Sequence, residues 1–271
     1  MLISVRHVTS YRYAEPVRYT IQCLRLTPVP FRGQRVVSWA VKAPGDDAPL
    51  RFTDGFGNPV HVVAINRPHG ELVIEAGGIV ETEDTNGVVA GIANPVPPRV
   101  FLRETPQTRA DAAITELAKS AKRADALESL HELSRLVRDR VEYVPGTTDV
   151  HTEAAAALAD GKGVCQDHTH IFIAGCRALE VPARYVTGYL YLGEDAGAEA
   201  HHAWAEAWVD GLGWVGFDVA NRICPTDNYV RLASGLDAGY AAPIKGSRRG
   251  GSGESLDVAV AVHQQQNSAQ Q

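Results

Sequence analysis

No Cys-x-x-Cys pair occurs in the 271-residue sequence, whose four cysteines stand alone at positions 23, 165, 176 and 224. That spacing supplies neither a zinc knuckle nor a disulfide framework, and each cysteine reads as a separate thiol in a reducing compartment. A basic excess is also missing. With 26 Lys and Arg against 32 Asp and Glu, the net charge is −6 and the pI near 5.9. No Lys/Arg stripe interleaves with aromatics, which argues against nucleic acid as a partner. No apolar run approaches the roughly 18 residues that span a bilayer. Arg6 and His7 stand where a signal peptide would carry its apolar core. A soluble cytoplasmic protein with no membrane partner is expected. The acidic residues are scattered rather than closely spaced, so no calcium loop is expected, nor any cofactor.

Hydrophobic residues make up 45% of the chain, enough for one large domain or two ordinary ones, and the pattern favours two. The runs "ISVRHVTSYRY", "RVVSWAVKAP", "VHVVAIN" and "ELVIEAGGIVETED" alternate apolar and polar positions between Gly, Pro and Asn. This alternation predicts a β-rich, sandwich-like module over residues 1–98. "ANPVPPRVF" reads as a stiff connector between domains. Beyond it, Thr108 is a candidate cap for a helix whose Ile114, Leu117 and Ala121 share a face. Asp125 and Glu128 offer the cap and third-position acid of a second helix, whose stripe continues through Leu127, Leu130, Val137 and Val141. The predicted core spans 99–262 and includes a C-terminal strand, and the Gln-rich residues 263–271 read as a disordered tail.

The chemistry concentrates in "GKGVCQDHTHIFIAGCRALEVP". Ile171, Gly175, Ala178 and Leu179 fall on one helical face ahead of Pro182, which puts Cys165 at a helix N-terminus. There the free N–H groups and the positive end of the dipole favour thiolate over thiol. An isolated cysteine is otherwise most often a small core residue. Downstream, "HHAWAEAWVDGLGWVGFDVAN" reads as two strands joined through "DGLG". His202, Trp204, Glu206 and Trp208 share one face of the first strand, and Trp214, Gly216 and Asp218 share one face of the second. If Trp208 pairs with Trp214, His202 lies diagonally beside Asp218. A slip of one residue would put that aspartate behind the sheet.

The order Cys165, His202, Asp218 resembles that of the bacterial transglutaminase-like proteins, a branch of the transglutaminase core superfamily within the papain-like cysteine enzymes. The matching segments, in the family's order, are "YVPGTTDVHTEAAAAL", "GKGVCQDHTHIFIA", "VPARYVTGYLYLG", "HHAWAEAWVDGLGWVGFDVAN" and "CPTDNYVRLASG". "YRYAEPV", "LRLTPVP" and "DGFGNPV" are similar to the β-rich domain preceding the core in that branch. The resemblance implies an α+β fold, with a Cys-bearing helix packed on an antiparallel sheet and a β-sandwich-like domain before it. It further implies a Cys165–His202–Asp218 triad, for which hydrolysis of peptide or other amide bonds through a thioester is the expected reaction, with amine cross-linking or a silent protein-interaction version of the fold as alternatives. His201 stands where a small polar residue is usual, and alternation turns it away from Asp218.

A metal reading would use Cys165, His168, His170, His202 and Asp218. It is disfavoured because positions two apart on a helix point in different directions, so no metal is expected. His170 reads as a hydrogen-bonded structural histidine. The three tryptophans of the hairpin read as core, with a substrate groove as the alternative. The Cys165 backbone N–H is the natural first oxyanion donor. For the second, no Gln lies between Gln107 and Cys165, Gln166 falls on the wrong side, and Tyr143 is a weak candidate. The segment "GEDAGAEA", 193–200, is expected to line the cleft.

Overall fold

The computed structural model describes residues 1–44, 50–93, 95–193 and 201–265. The first alternating run makes a single strand, β1 (Leu2–Leu24), bent by register shifts between Arg12 and Val17 and between Val17 and Tyr19. Around it lie β2 (Gln34–Lys42), β3 (Leu50–Thr53), β4 (Pro59–Ile65) and β5 (His69–Thr82), in the order β2-β5-β1-β4-β3. One half of β1 pairs with β5, from Leu2 opposite Glu81 to Arg12 opposite Glu71. The other half pairs with β4, from Thr20 opposite Ile65 to Leu24 opposite His61. The sandwich-like module expected for 1–98 thus takes the form of one curled sheet.

β6 (Val88–Val89) leaves that sheet and joins the second one. Next come the helical elements, with two short strands among them: α1 (Ala112–Ser120), α2 (Ala126–Arg140), β7 (Glu142–Tyr143), α3 (Ala154–Asp160), β8 (Lys162–Gly163) and α4 (Cys165–Ala178). They are followed by β9 (Ala183–Leu190), β10 (His201–Val209), β11 (Gly213–Phe217) and β12 (Tyr229–Gly235), which with β6 form an antiparallel sheet ordered β12-β9-β10-β11-β6. Asp125 caps α2 as expected, accepting from the Glu128 N–H at 3.0 Å. For α1 the cap is Asp111, not Thr108: its carboxylate accepts from the Ile114 N–H at 2.8 Å, while Thr108 closes a separate 3-10 turn.

β13 (Ile244–Gly250) and β14 (Glu254–Gln264) return to the first sheet and run along the remaining edge of β1. The C-terminal strand expected in the core therefore completes the N-terminal sheet instead. The physical reason is the length of β1, whose second edge would otherwise expose a long row of unpaired N–H and C=O groups. His263 and Gln264, assigned from sequence to the tail, pair with Ser4 and Ile3. Residues 266–271 lie outside the described residues.

The two sheets share a core in which Ile3, Leu24, Leu72, Ile74 and Val260 pack with Tyr189, Val230 and Leu232. The proline-rich connector is packed too. Phe101 is buried with Trp214 and Leu236, and its carbonyl accepts from Arg177 Nε at 2.9 Å. α4 is buried on all sides from Asp167 to Arg177, not on one stripe alone, because α1, α2 and α3 cover it opposite the β9–β10 face.

Candidate active site

Val164 is the N-cap of α4 and has no side-chain acceptor, so the helix start is held from within. Asp167 Oδ2 accepts from the Val164 N–H at 2.8 Å and from the Thr148 hydroxyl at 2.7 Å. Gly163 makes room for this carboxylate, since a Cβ there would lie 2.7 Å from the Asp167 Cβ. Cys165 is thereby fixed, half-buried, in the first turn, where the dipole favours an anion. The thiol anticipated at a helix N-terminus is found there.

β10 and β11 have the even register. Trp208 pairs with Trp214 and Glu206 with Gly216, across a turn where Gly211 and Gly213 take φ of 86° and 85°. Ala203, Ala205 and Ala207 form the face that receives α4, since only small side chains allow the helix so close. His202 and Trp204 lie on the other face, with ring centroids 6.4 Å apart. Asp218 follows β11, and its Oδ2 accepts from His202 Nε2 at 2.6 Å, from the Tyr229 hydroxyl at 2.6 Å and from Asn221 Nδ2 at 2.8 Å.

His202 is the second residue of its strand and Cys165 the first of its helix, and Cys165 lies near enough to act on the His202 ring. With Nε2 given to Asp218, Nδ1 is the ring nitrogen left for the sulfur. Burial works against the imidazolium, but the bonds to Asp218 and Cys165 and their charges outweigh it and push the His202 pKa up to about 10. Burial likewise opposes the Asp218 carboxylate, and the His202, Tyr229 and Asn221 donors hold its pKa below the usual value. The three residues singled out from sequence thus meet in one place.

The remaining candidates separate from them. His201 hydrogen-bonds the Thr187 hydroxyl at 3.0 Å, and its ring stands edge-on to Tyr189 and His7. Both nitrogens of His168 face backbone carbonyls, Val164 at 2.8 Å and Val141 at 2.9 Å, and its ring stacks on Tyr143. His170 is buried and accepts from the Ala238 N–H at 3.1 Å. No cluster of three metal-ligating side chains occurs among the described residues. Cys176 is buried, and burial drives its thiol pKa up. Burial also raises that of Cys224. Trp204 and Trp214 are buried core residues, and Trp208 is half-buried against Trp214.

Sequence reasoning missed Tyr229 and Asn221 as partners of Asp218. It also missed the role of Glu206, which lies fully buried between Arg184 Nε at 2.5 Å and Arg231 Nε at 2.8 Å. Desolvation opposes that carboxylate, but the two guanidinium charges prevail and hold its pKa near 2. The position of Glu206 on the His202 face was a signal, while its partners sit on other strands.

A cleft of about 510 Å³ is lined by Gln107, Gln166, Tyr185, Thr187 and His201, together with residues 238–239 and 241–245. Gln166, the second residue of α4, brings the start of that helix to its edge. Of the segment 193–200 expected to line it, residues 194–200 lie outside the described residues.

Residues 113–219 match the transglutaminase-like superfamily, and residues 3–81 match the bacterial transglutaminase-like N-terminal region. An uncharacterized protein of Mycobacterium leprae is 31% identical over 272 residues, covering 95% of this chain and 97% of the relative. One from Mycobacterium tuberculosis is 29% identical over 288 residues, covering 95% and 91%. A Cytophaga hutchinsonii crystal structure, provisionally called a cysteine protease, is similar in fold with a TM-score of 0.76 at 22% identity, covering 99% of this chain and 92% of that one. Among the described residues no helix is long and apolar enough to cross a membrane. The chain belongs to the transglutaminase-like superfamily, in the branch carrying the bacterial transglutaminase-like N-terminal region.

Proposed function

We propose that this chain is a thiol-dependent acyl-transfer enzyme that hydrolyses peptide or other amide bonds, with Cys165 as nucleophile, His202 as base and acid, and Asp218 as the group that orients His202. The observation carrying the reading is the 2.6 Å bond between the His202 ring and the Asp218 carboxylate, with Cys165 near enough to act on the same ring. In the first step Sγ bonds to the acyl carbon, its proton passes to His202 Nδ1, and the carbonyl π pair moves onto oxygen. Collapse of that oxyanion breaks the C–N bond, and the amine leaves with the His202 proton. Water, deprotonated by His202, then cleaves the thioester and regenerates the thiol.

Water rather than an amine is favoured as the second substrate. Cross-linking needs a second site that desolvates a neutral amine and keeps water from the thioester. The aromatic wall such a site could use is supplied by none of the hairpin tryptophans: Trp204 and Trp214 are in the core, and none of the three lines the cleft. The partner in this reading is a peptide or protein substrate.

The test offers glutamine-containing and mixed peptide pools with excess labelled primary amine. Free acid is expected to outpace amine incorporation, with both products abolished by Cys165→Ala. Faster amine incorporation would make the protein a cross-linking enzyme. Release of neither product, with Cys165 no more reactive than a free thiol, would make it a silent version of the fold.

A further inference from the structure

The acyl-transfer reading supplies one oxyanion donor, the Cys165 backbone N–H, and leaves the second unassigned. Tyr185 projects from β9 on the face that receives α4, in the core cluster against which Cys165 packs. Its ring lies 5.2 Å from that of His170, on the same helix as the thiol. It is 95% buried, yet it lines the cleft. Among the described residues nothing hydrogen-bonds its hydroxyl, which feels only burial and nearby charges, although a buried phenol ordinarily finds a partner. A buried donor that lines the cleft, in the cluster against which the nucleophile packs, has the features of a group waiting for an acceptor that forms during the reaction.

We propose that the Tyr185 hydroxyl is the second donor of the oxyanion hole, facing the carbonyl oxygen while Cys165 attacks. The assignment rests on the acyl-transfer reading of the same cleft. As the tetrahedral intermediate forms, negative charge develops on that oxygen, and the phenol O–H and the Cys165 N–H donate to it. No proton is transferred, and both bonds relax when the thioester forms and the C=O is restored. The phenol stays protonated for this role. Burial first, and then the charges at Cys165, Asp167 and Asp237, raise its pKa well above the ordinary value.

Rival donors are committed elsewhere or lack such support. Gln166 donates its amide to the Asp149 carbonyl at 3.3 Å. Tyr143 stacks on His168 rather than lining the cleft. Gln107 lines the cleft but lies on a 3-10 turn, outside the core cluster that fixes Tyr185. It is the control.

The experiment compares two reactions of Cys165 in the full chain. Alkylation by iodoacetamide is a displacement at a CH₂ carbon and creates no oxyanion. Acylation by p-nitrophenyl acetate creates one. Tyr185→Phe keeps the ring and removes a hydroxyl with no protein partner, so folding is expected to survive. Taking the ratio of the two rates in one sample cancels any loss of folded protein. The expected result is a fall of roughly 10²- to 10³-fold in acylation with alkylation unchanged, and no comparable effect from Gln107→Ala. A parallel fall in both rates would make Tyr185 a packing residue and overturn the assignment. Unchanged acylation would overturn it as well, and would point to Gln107 if that variant alone lost acylation. If the parent protein is alkylated rapidly at Cys165 but never acylated, the acyl-transfer reading itself fails and the oxyanion role falls with it.

Discussion

Asp218→Asn separates charge from shape at the centre of the site. Asp218 Oδ2 accepts from three donors, the His202 ring, the Tyr229 hydroxyl and the Asn221 amide, while among the described residues Oδ1 accepts only from the Asn221 backbone N–H at 3.2 Å. An asparagine that keeps its carbonyl oxygen toward the three donors sets its amide against one N–H alone, and this orientation leaves the fold intact. What disappears is the negative charge beside the imidazolium. In the parent, burial disfavours that cation, but Asp218 and Cys165 together move its pKa from 6.5 to about 10, a change worth roughly 5 kcal/mol. A loss of about 10⁴ in rate, the size seen when a comparable triad carboxylate becomes an amide, is also roughly 5 kcal/mol. Because Cys165 shares in the effect, about 10⁴ is the upper end.

Turnover of an activated ester and the pH profile of Cys165 alkylation read the variant directly. Unfolding supplies a signed check. A raised histidine pKa contributes stability fully present below 6.5 and lost as pH rises through about 10. The parent's advantage in melting temperature over Asp218→Asn should therefore be largest near neutrality and below, shrinking toward pH 10. Activity within tenfold of the parent, with the same melting profile, would refute the role given to Asp218.

Two further outcomes are expected. His202→Ala should slow alkylation of Cys165 at neutral pH far more than His201→Ala, because His201 is bonded to Thr187 and faces His7 instead of Asp218; equal effects would return His201 to candidacy as the base. Glu206→Gln should destabilise the protein by roughly 3 to 5 kcal/mol in urea unfolding, since it leaves Arg184 and Arg231 buried without their carboxylate. With its pKa lowered from 4.5 to about 2, Glu206 contributes stability that is present above 4.5 and lost as pH falls toward 2. A cost below about 1 kcal/mol would show that the cluster relaxes or admits water.

Much of the site was legible because its rules are local. Two glycines ahead of Cys165 and an apolar run after it mark a helix start, and α4 begins at that residue. Period-two alternation on either side of "DGLG" placed His202 and Asp218 on one face, and the Trp208–Trp214 pair bears out the register. That Cys165 belongs with this hairpin came from resemblance, since 37 residues separate it from His202 and no local rule joins them. Tyr229 and Asn221, by contrast, are ordinary strand and turn residues in sequence. Only the approach of β12 to the end of β11 brings them onto the carboxylate.

The sequence by itself determined the elements whose signals lie within a few residues: the alternating strands, the Asp125 cap, the cysteine at its helix end and the even face of the hairpin. Tertiary structure decided which edge of β1 the last strand would cover, how deeply α4 would be buried, and that the proline-rich connector would pack around Phe101 rather than hold two domains apart. It also decided that Tyr185 would be buried in the core that receives α4 and still line the cleft. The division has a physical cause. Periodicity, turns and caps are set by backbone geometry between chain neighbours, whereas open sheet edges, buried charges and buried hydroxyls must be matched by groups far away in sequence, and only the closed fold sets which of these lie within bonding distance.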